Sequence, residues 1–171
     1  MEKNMHSVSK LKQQFNLLKI SNKTHCFLAE YDKHSSDDEI LDKIALELSN
    51  TSDIILLNIK PDNKAVDLGK KTKVLCSEFG ATFLIYNRAD IALLTGADGI
   101  LLTESGISIK NAREILGETS LIGINIKTAL DLENTIQNNP DYIFTDNDTI
   151  STNIPTFSNS TSDKNHFTKI N

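Results

Sequence analysis

Across residues 24–146 the chain alternates short apolar runs with polar breaks and amphipathic helical patterns. The apolar runs cover residues 25–30, 53–59, 81–86, 98–102, 120–126 and 141–145, and most of their residues are β-branched. Runs of that length and composition predict strands buried on both faces. Between them, Ile40, Ile44 and Leu48 line one helical face, and Ala65, Leu68, Thr72, Leu75 and Phe79 line another. Boundary residues agree: Gly80 and Gly117 sit where helices stop, while Ser108 and Thr128 are placed to N-cap the next ones. Asp131, three residues after Thr128, completes a capping box. Strand–helix alternation of this kind implies a parallel sheet with right-handed crossovers.

The pattern changes at both ends. Residues 1–23 are basic and carry Val8, Leu11, Phe15 and Leu18 at helical spacing, which predicts a packed N-terminal amphipathic helix. Residues 147–171 are dominated by Ser, Thr, Asn and Asp, with scattered Ile150, Ile154 and Phe157. That composition predicts a disordered tail, because it buries too little apolar surface to offset ordering entropy. The expected fold is therefore α/β: an incomplete TIM-type (β/α) barrel of about six parallel βα units, where a complete one needs eight, with an extra N-terminal helix and a polar C-terminal tail. An open barrel leaves two unpaired strand edges, so a homodimer, or coverage of one edge by the N-terminal helix, is expected.

The hydrophobic fraction of 39% in 171 residues suffices for one core. The longest apolar runs are too short to cross a bilayer, and no signal-peptide pattern opens the sequence. Cys26 and Cys76 lie far apart, without a CxxC or a neighbouring His, as buried thiols in a reducing compartment would. The reading is cytoplasmic, with no membrane partner. A net charge of −5 argues against a nucleic-acid partner. Arginine, the preferred bidentate clamp for phosphate, occurs only at Arg88 and Arg113.

Ligands of parallel α/β folds bind at the C-terminal strand ends. Those positions hold Glu30 and Asp32, Asn58 and Lys60, Asn87 and Arg88, Thr103 to Ser105, Asn125 and Lys127, then Asp146 and Asp148. The ring is of mixed charge and suits a small polar ligand. Lys60 ends an apolar strand, where its ammonium either meets a phosphate or snorkels to solvent. Arg88 stands two residues from Asp90, an obvious ion-pair partner. Glu104 has no second carboxylate beside it, so a hard-oxygen metal site is poorly supplied.

Residues 76–146 resemble thiamine phosphate synthase and the related thiazole tautomerase. The resemblance is carried by FGATFLIYNRADIALLTGADGILLTESGISIKNAREILGETSLIGINIKT, by PDYIFTD further on, and by IILLNIKP on the second run. It implies an activity that joins hydroxymethylpyrimidine pyrophosphate to thiazole phosphate, with Mg²⁺ and basic residues holding the departing pyrophosphate. Carried over by position, Lys60 matches the family's second-strand lysine and Arg88 its Asn-Asp-Arg arginine. The family's glutamine and arginine fall on Leu56 and Asn58, and its asparagine on Tyr86. The two magnesium-binding aspartates fall on Asn87 and Gly106. The fifth-strand serine is Asn125, and the tautomerase histidine is replaced by Lys127.

Lys60, Asn87, Arg88, Glu104, Asn125 and Lys127 are therefore the candidate substrate-binding residues. No metal ligand set is assigned, and Mg²⁺ enters only if the family activity is retained. Two functions are carried forward. One is a thiamine phosphate synthase-like protein with weakened or lost catalysis. The other is a non-catalytic α/β module that binds a small phosphorylated ligand or a partner chain.

Overall fold

The computed structural model describes residues 14, 18, 20–31, 35–59, 64–148, 150, 152–159 and 163–170. Six parallel strands follow chain order: β1 (His25–Tyr31), β2 (Ile54–Ile59), β3 (Thr82–Tyr86), β4 (Gly99–Leu102), β5 (Leu121–Ile126) and β6 (Tyr142–Thr145). Each connection between them is a helix: α1 (Asp37–Asn50), α2 (Ala65–Glu78), α3 (Ala89–Thr95), α4 (Ile109–Leu116) and α5 (Ala129–Ile136). The caps read from sequence are present. Ser108 Oγ accepts from Asn111 N, and Thr128 forms a reciprocal capping box with Asp131.

The strand starts shift inward by one residue in a repeated way, because Asp53, Asp98 and Asp141 turn their carboxylates to backbone amides. Asp53 accepts from Thr24 N and His25 N, Asp98 from Phe83 N, and Asp141 from Ile122 N at 2.8 Å. Two of them also hold a cation from a helix: Lys73 donates to Asp98 at 2.8 Å and Arg113 to Asp141 at 2.6 Å. Arg113 also donates to Ser120 O, so it is spent on the N-terminal face of the barrel, far from the strand ends where a ligand binds.

The barrel is closed, which corrects the expectation of an incomplete one. The region predicted to be disordered supplies β7 (Thr156–Ser158) and β8 (His166–Lys169). β7 runs parallel to β6, and β8 returns antiparallel to both β7 and β1. Composition failed here for a physical reason. The edges of β1 and β6 offer unpaired backbone groups, and satisfying them makes short polar strands worthwhile. One aromatic per strand then fills the interior: Phe157 and Phe167 lie 5.2 and 4.9 Å from the Phe144 ring. The small polar side chains find local partners, with Thr156 Oγ1 donating to Ile154 O and Ser158 Oγ to Asp148. With β1 and β6 both paired, the edge argument for a homodimer or a covering helix falls away.

Inside the barrel, Cys26, Ile54, Leu56, Leu84, Leu101, Leu121, Tyr142, Phe144 and Phe157 form one cluster. A second cluster, including Ile40, Ile44, Ile55, Leu57, Leu68, Phe83 and Ile85, packs the sheet's outer face against α1 and α2. Gly123 is required where Tyr142 crosses it, since a Cβ there would collide with the ring, and Tyr142 Oη donates to Ile100 O at 2.7 Å. Burial pushes the thiols of both cysteines up, that of Cys76 to about 12. The N-terminal stripe is corrected in part: Leu18 is 59% exposed, while Ile20 is fully buried in the barrel interior. Val8, Leu11 and Phe15 lie outside the described residues. No described helix is long and apolar enough to cross a membrane.

Candidate functional site

Strand alternation decides which residues reach the barrel mouth. On each strand the residue two positions beyond the last inward apolar side chain points the same way. This places Glu30 after Leu28, Asn58 after Leu56, Asn125 after Gly123, Asp146 after Phe144 and Asn159 after Phe157. They surround a cavity of about 440 Å³, floored by Leu28, Leu56, Leu101, Phe144 and Phe167 and completed by Tyr86 and Lys164. A second cavity of about 570 Å³ shares Tyr86 and Asn125 with it, and is lined further by Asn87, Thr103, Glu104, Ser105 and Lys127.

Four of the six candidate residues thus come together: Asn87, Glu104, Asn125 and Lys127 line one cavity. Arg88 does not join them. Its guanidinium grips Asp90 in two hydrogen bonds of 2.9 and 2.6 Å at the start of α3. That pair raises the arginine's pKa and holds the Asp90 carboxyl below its usual range. Lys60 and Asp32 lie outside the described residues. Asn159, Lys164 and Phe167, which sequence reasoning left in a tail, are additional lining residues. The signal that could have found them was the alternation within TFS and HFTK.

Asn87 adopts a left-handed backbone with φ of 54°, a conformation that Asn tolerates better than most residues. Its N–H donates to Leu101 O at 2.8 Å, and its Oδ1 accepts from Thr103 N at 3.3 Å. The side chain therefore ties the end of β3 to the end of β4. Thr103 O accepts from Gly106 N at 2.9 Å, closing a turn that brings Gly106 against Asn87. A Cβ at Gly106 would collide with Asn87 Oδ1. The two positions that resemble the family's magnesium ligands are hence neighbours, but one offers an occupied carboxamide and the other nothing. Glu104 turns instead to a hydrogen bond with Asp131. The Asp131 carboxyl is held below its usual range first by the Thr128 hydroxyl, with backbone amides and Glu104 adding to the effect.

These residues do not fit a hard divalent cation, which takes several oxygen donors with compensating charge. Among the described residues no group of three or more His, Cys, Asp or Glu is placed to hold one. Among the described residues, the lining cations Lys127 and Lys164 make no hydrogen bond or ion pair, and neither do the Glu30 and Asp146 carboxylates across the mouth.

A closed (β/α) barrel with a polar-rimmed cavity over its C-terminal strand ends defines a TIM-type barrel built to hold a small ligand. Residues 28–152 match the family model described as thiamine monophosphate synthase, and the chain belongs to that family. A thiamine-phosphate synthase of Thermosynechococcus vestitus is 37% identical over 82 residues, 48% of this chain and 23% of that protein. One from Campylobacter jejuni subsp. jejuni is 41% identical over 66 residues, 39% of this chain and 31% of that protein. The aligned part thus spans about a quarter to a third of those curated relatives' length. A thiamine phosphate pyrophosphorylase from Pyrococcus furiosus shares the fold, with a TM-score of 0.69, 20% identity, and coverage of 81% of this chain and 75% of that one.

Proposed function

We propose that this thiamine phosphate synthase-like barrel binds a small phosphorylated ligand of thiamine biosynthesis at its mouth, while its capacity to form thiamine phosphate is weak or lost. The observation that carries this reading is the packing of Gly106 against the Asn87 carboxamide. Departure of pyrophosphate needs concentrated positive charge, and no carboxylate pair is present there to hold a cation that would supply it. Arg88, the other positional match, is neutralised by Asp90. Loss of one oriented electrostatic group typically costs a factor of roughly 10² to 10³ in rate, and two such losses need not add. Binding is another matter, because the cavity keeps Lys127 and Lys164 for a phosphate and an aromatic floor for a ring.

The test is turnover of hydroxymethylpyrimidine pyrophosphate with thiazole phosphate and Mg²⁺, run beside calorimetric titration of each substrate alone. Binding of thiazole phosphate with turnover at least two orders of magnitude below an active family member, roughly the loss of one such group, is the expected result. Efficient turnover, abolished by Glu104→Ala, would overturn the reading and make Glu104 a working cation ligand.

A further inference from the structure

β7 and β8 close the barrel with little apolar surface, so their fastening to the rest of the fold matters. Asn165 O accepts from Leu28 N at 2.7 Å, and Lys169 Nζ donates to Ser21 O at 2.6 Å. The third fastening is His166, whose ring lies 5.2 Å from Phe27. Its Nδ1 is 2.9 Å from Asp163 Oδ2 and its Nε2 is 3.0 Å from Glu47 Oε2, 119 residues away on α1. A carboxylate only accepts, and a neutral imidazole carries one N–H. The neutral ring therefore serves one carboxylate and turns a lone pair on the other. Only the doubly protonated ring satisfies both.

This clasp adjoins the cavity. Lys164 precedes His166 by two residues and lines the mouth, and Phe167, directly after it, belongs to the floor. We propose that the His166 imidazolium is a positioning group: it fastens β8 to α1, holds Lys164 and Phe167 in the barrel mouth, and makes binding there weaken as pH rises past neutrality. The proposal rests on the preceding reading of the mouth as the ligand site.

The charges facing the ring are Glu47 from α1 and Asp163 from the turn before β8, while β1 presents the uncharged Phe27. Glu47 first, and then Asp163, raise the pKa of His166 above its ordinary 6.5. The stabilisation is complete below that ordinary value and is lost as pH rises through the raised one. On the acid side, the Asn165 amide and His166 hold the Asp163 carboxyl below its usual range, so that bond survives mild acid.

Three full-length proteins test this: the unmodified chain, His166→Gln and Glu47→Gln. The readouts are imidazole titration by NMR, exchange protection of the amides of residues 167–169, and calorimetric affinity for thiazole phosphate at about pH 6 and 8.5, bracketing the ordinary His pKa. In the unmodified chain, β8 opening and the thiazole phosphate Kd should each rise roughly fivefold at the higher pH, the scale of a partly exposed ion pair. His166→Gln should flatten both, and because the ligand's own ionisation is identical in the variant, it cancels. Glu47→Gln should move the profile to lower pH. Equal protection at both pH values, or the same rise in His166→Gln, overturns the proposal. Changed protection with an unchanged Kd overturns the positioning role while leaving the mouth as ligand site. Absence of binding at both pH values overturns the ligand reading and the positioning role together.

Discussion

Replacing Phe157 by Ala removes a ring that is fully buried in the barrel interior and stacked 5.2 Å from Phe144. Phe157 lies on β7, in a segment whose composition alone reads as disordered, so the substitution separates two accounts of that segment. If the segment were a solvated tail, truncating one ring would change stability by less than about 0.5 kcal/mol. In a closed barrel it leaves a cavity among Tyr142, Phe144 and Phe167, and a buried Phe→Ala change of that kind costs about 3–5 kcal/mol. Part of that cost is the aromatic stacking, worth roughly 0.5–1.5 kcal/mol. For a domain of this size the shift in Tm is roughly 2–4 °C per kcal/mol, or about 6–20 °C in all. Urea unfolding followed by far-UV circular dichroism supplies the measurement, with Phe79→Ala, at 48% exposure, as the matched control. A loss below about 1 kcal/mol for Phe157→Ala, comparable with the control, would refute the claim that β7 belongs to the core.

Two further outcomes follow from packing and charge. Gly123→Ala forces a methyl into the Tyr142 ring and strains its bond to Ile100 O. It should cost about 1–3 kcal/mol in urea unfolding with an unchanged m-value. Arg113→Met strips the guanidinium from Asp141, whose side chain is 5% exposed. It should destabilise the protein by about 3 kcal/mol while leaving the mouth's affinity for thiazole phosphate unchanged, because Arg113 works on the opposite face. A marked affinity loss at constant stability would show that this assignment is wrong.

The residues determine a good deal of this protein directly. Six buried strands, their chain order and the caps at Ser108 and Thr128 are local properties. They are written in β-branched runs and in hydroxyl-to-carboxylate spacing, and the structure keeps them. The family, too, is carried by contiguous residues. Asn87, Glu104, Asn125 and Lys127 could be proposed together because a parallel barrel gathers its strand ends. What tertiary structure alone decided depends on partners distant in sequence. β7 and β8 exist because β1 and β6 offer edges to satisfy, and no window of composition contains that demand. Leu18 and Ile20 exchange their expected places because the barrel floor, rather than helical periodicity, selects the buried side chain. Arg88 leaves the cavity because Asp90 takes both arms of its fork. Gly106 and Asn87, nineteen positions apart, become one contact only when two strand ends meet. His166 gains Glu47 across 119 residues. In each case the deciding energy is a hydrogen bond, a charge or a volume that exists only once the sheet has closed.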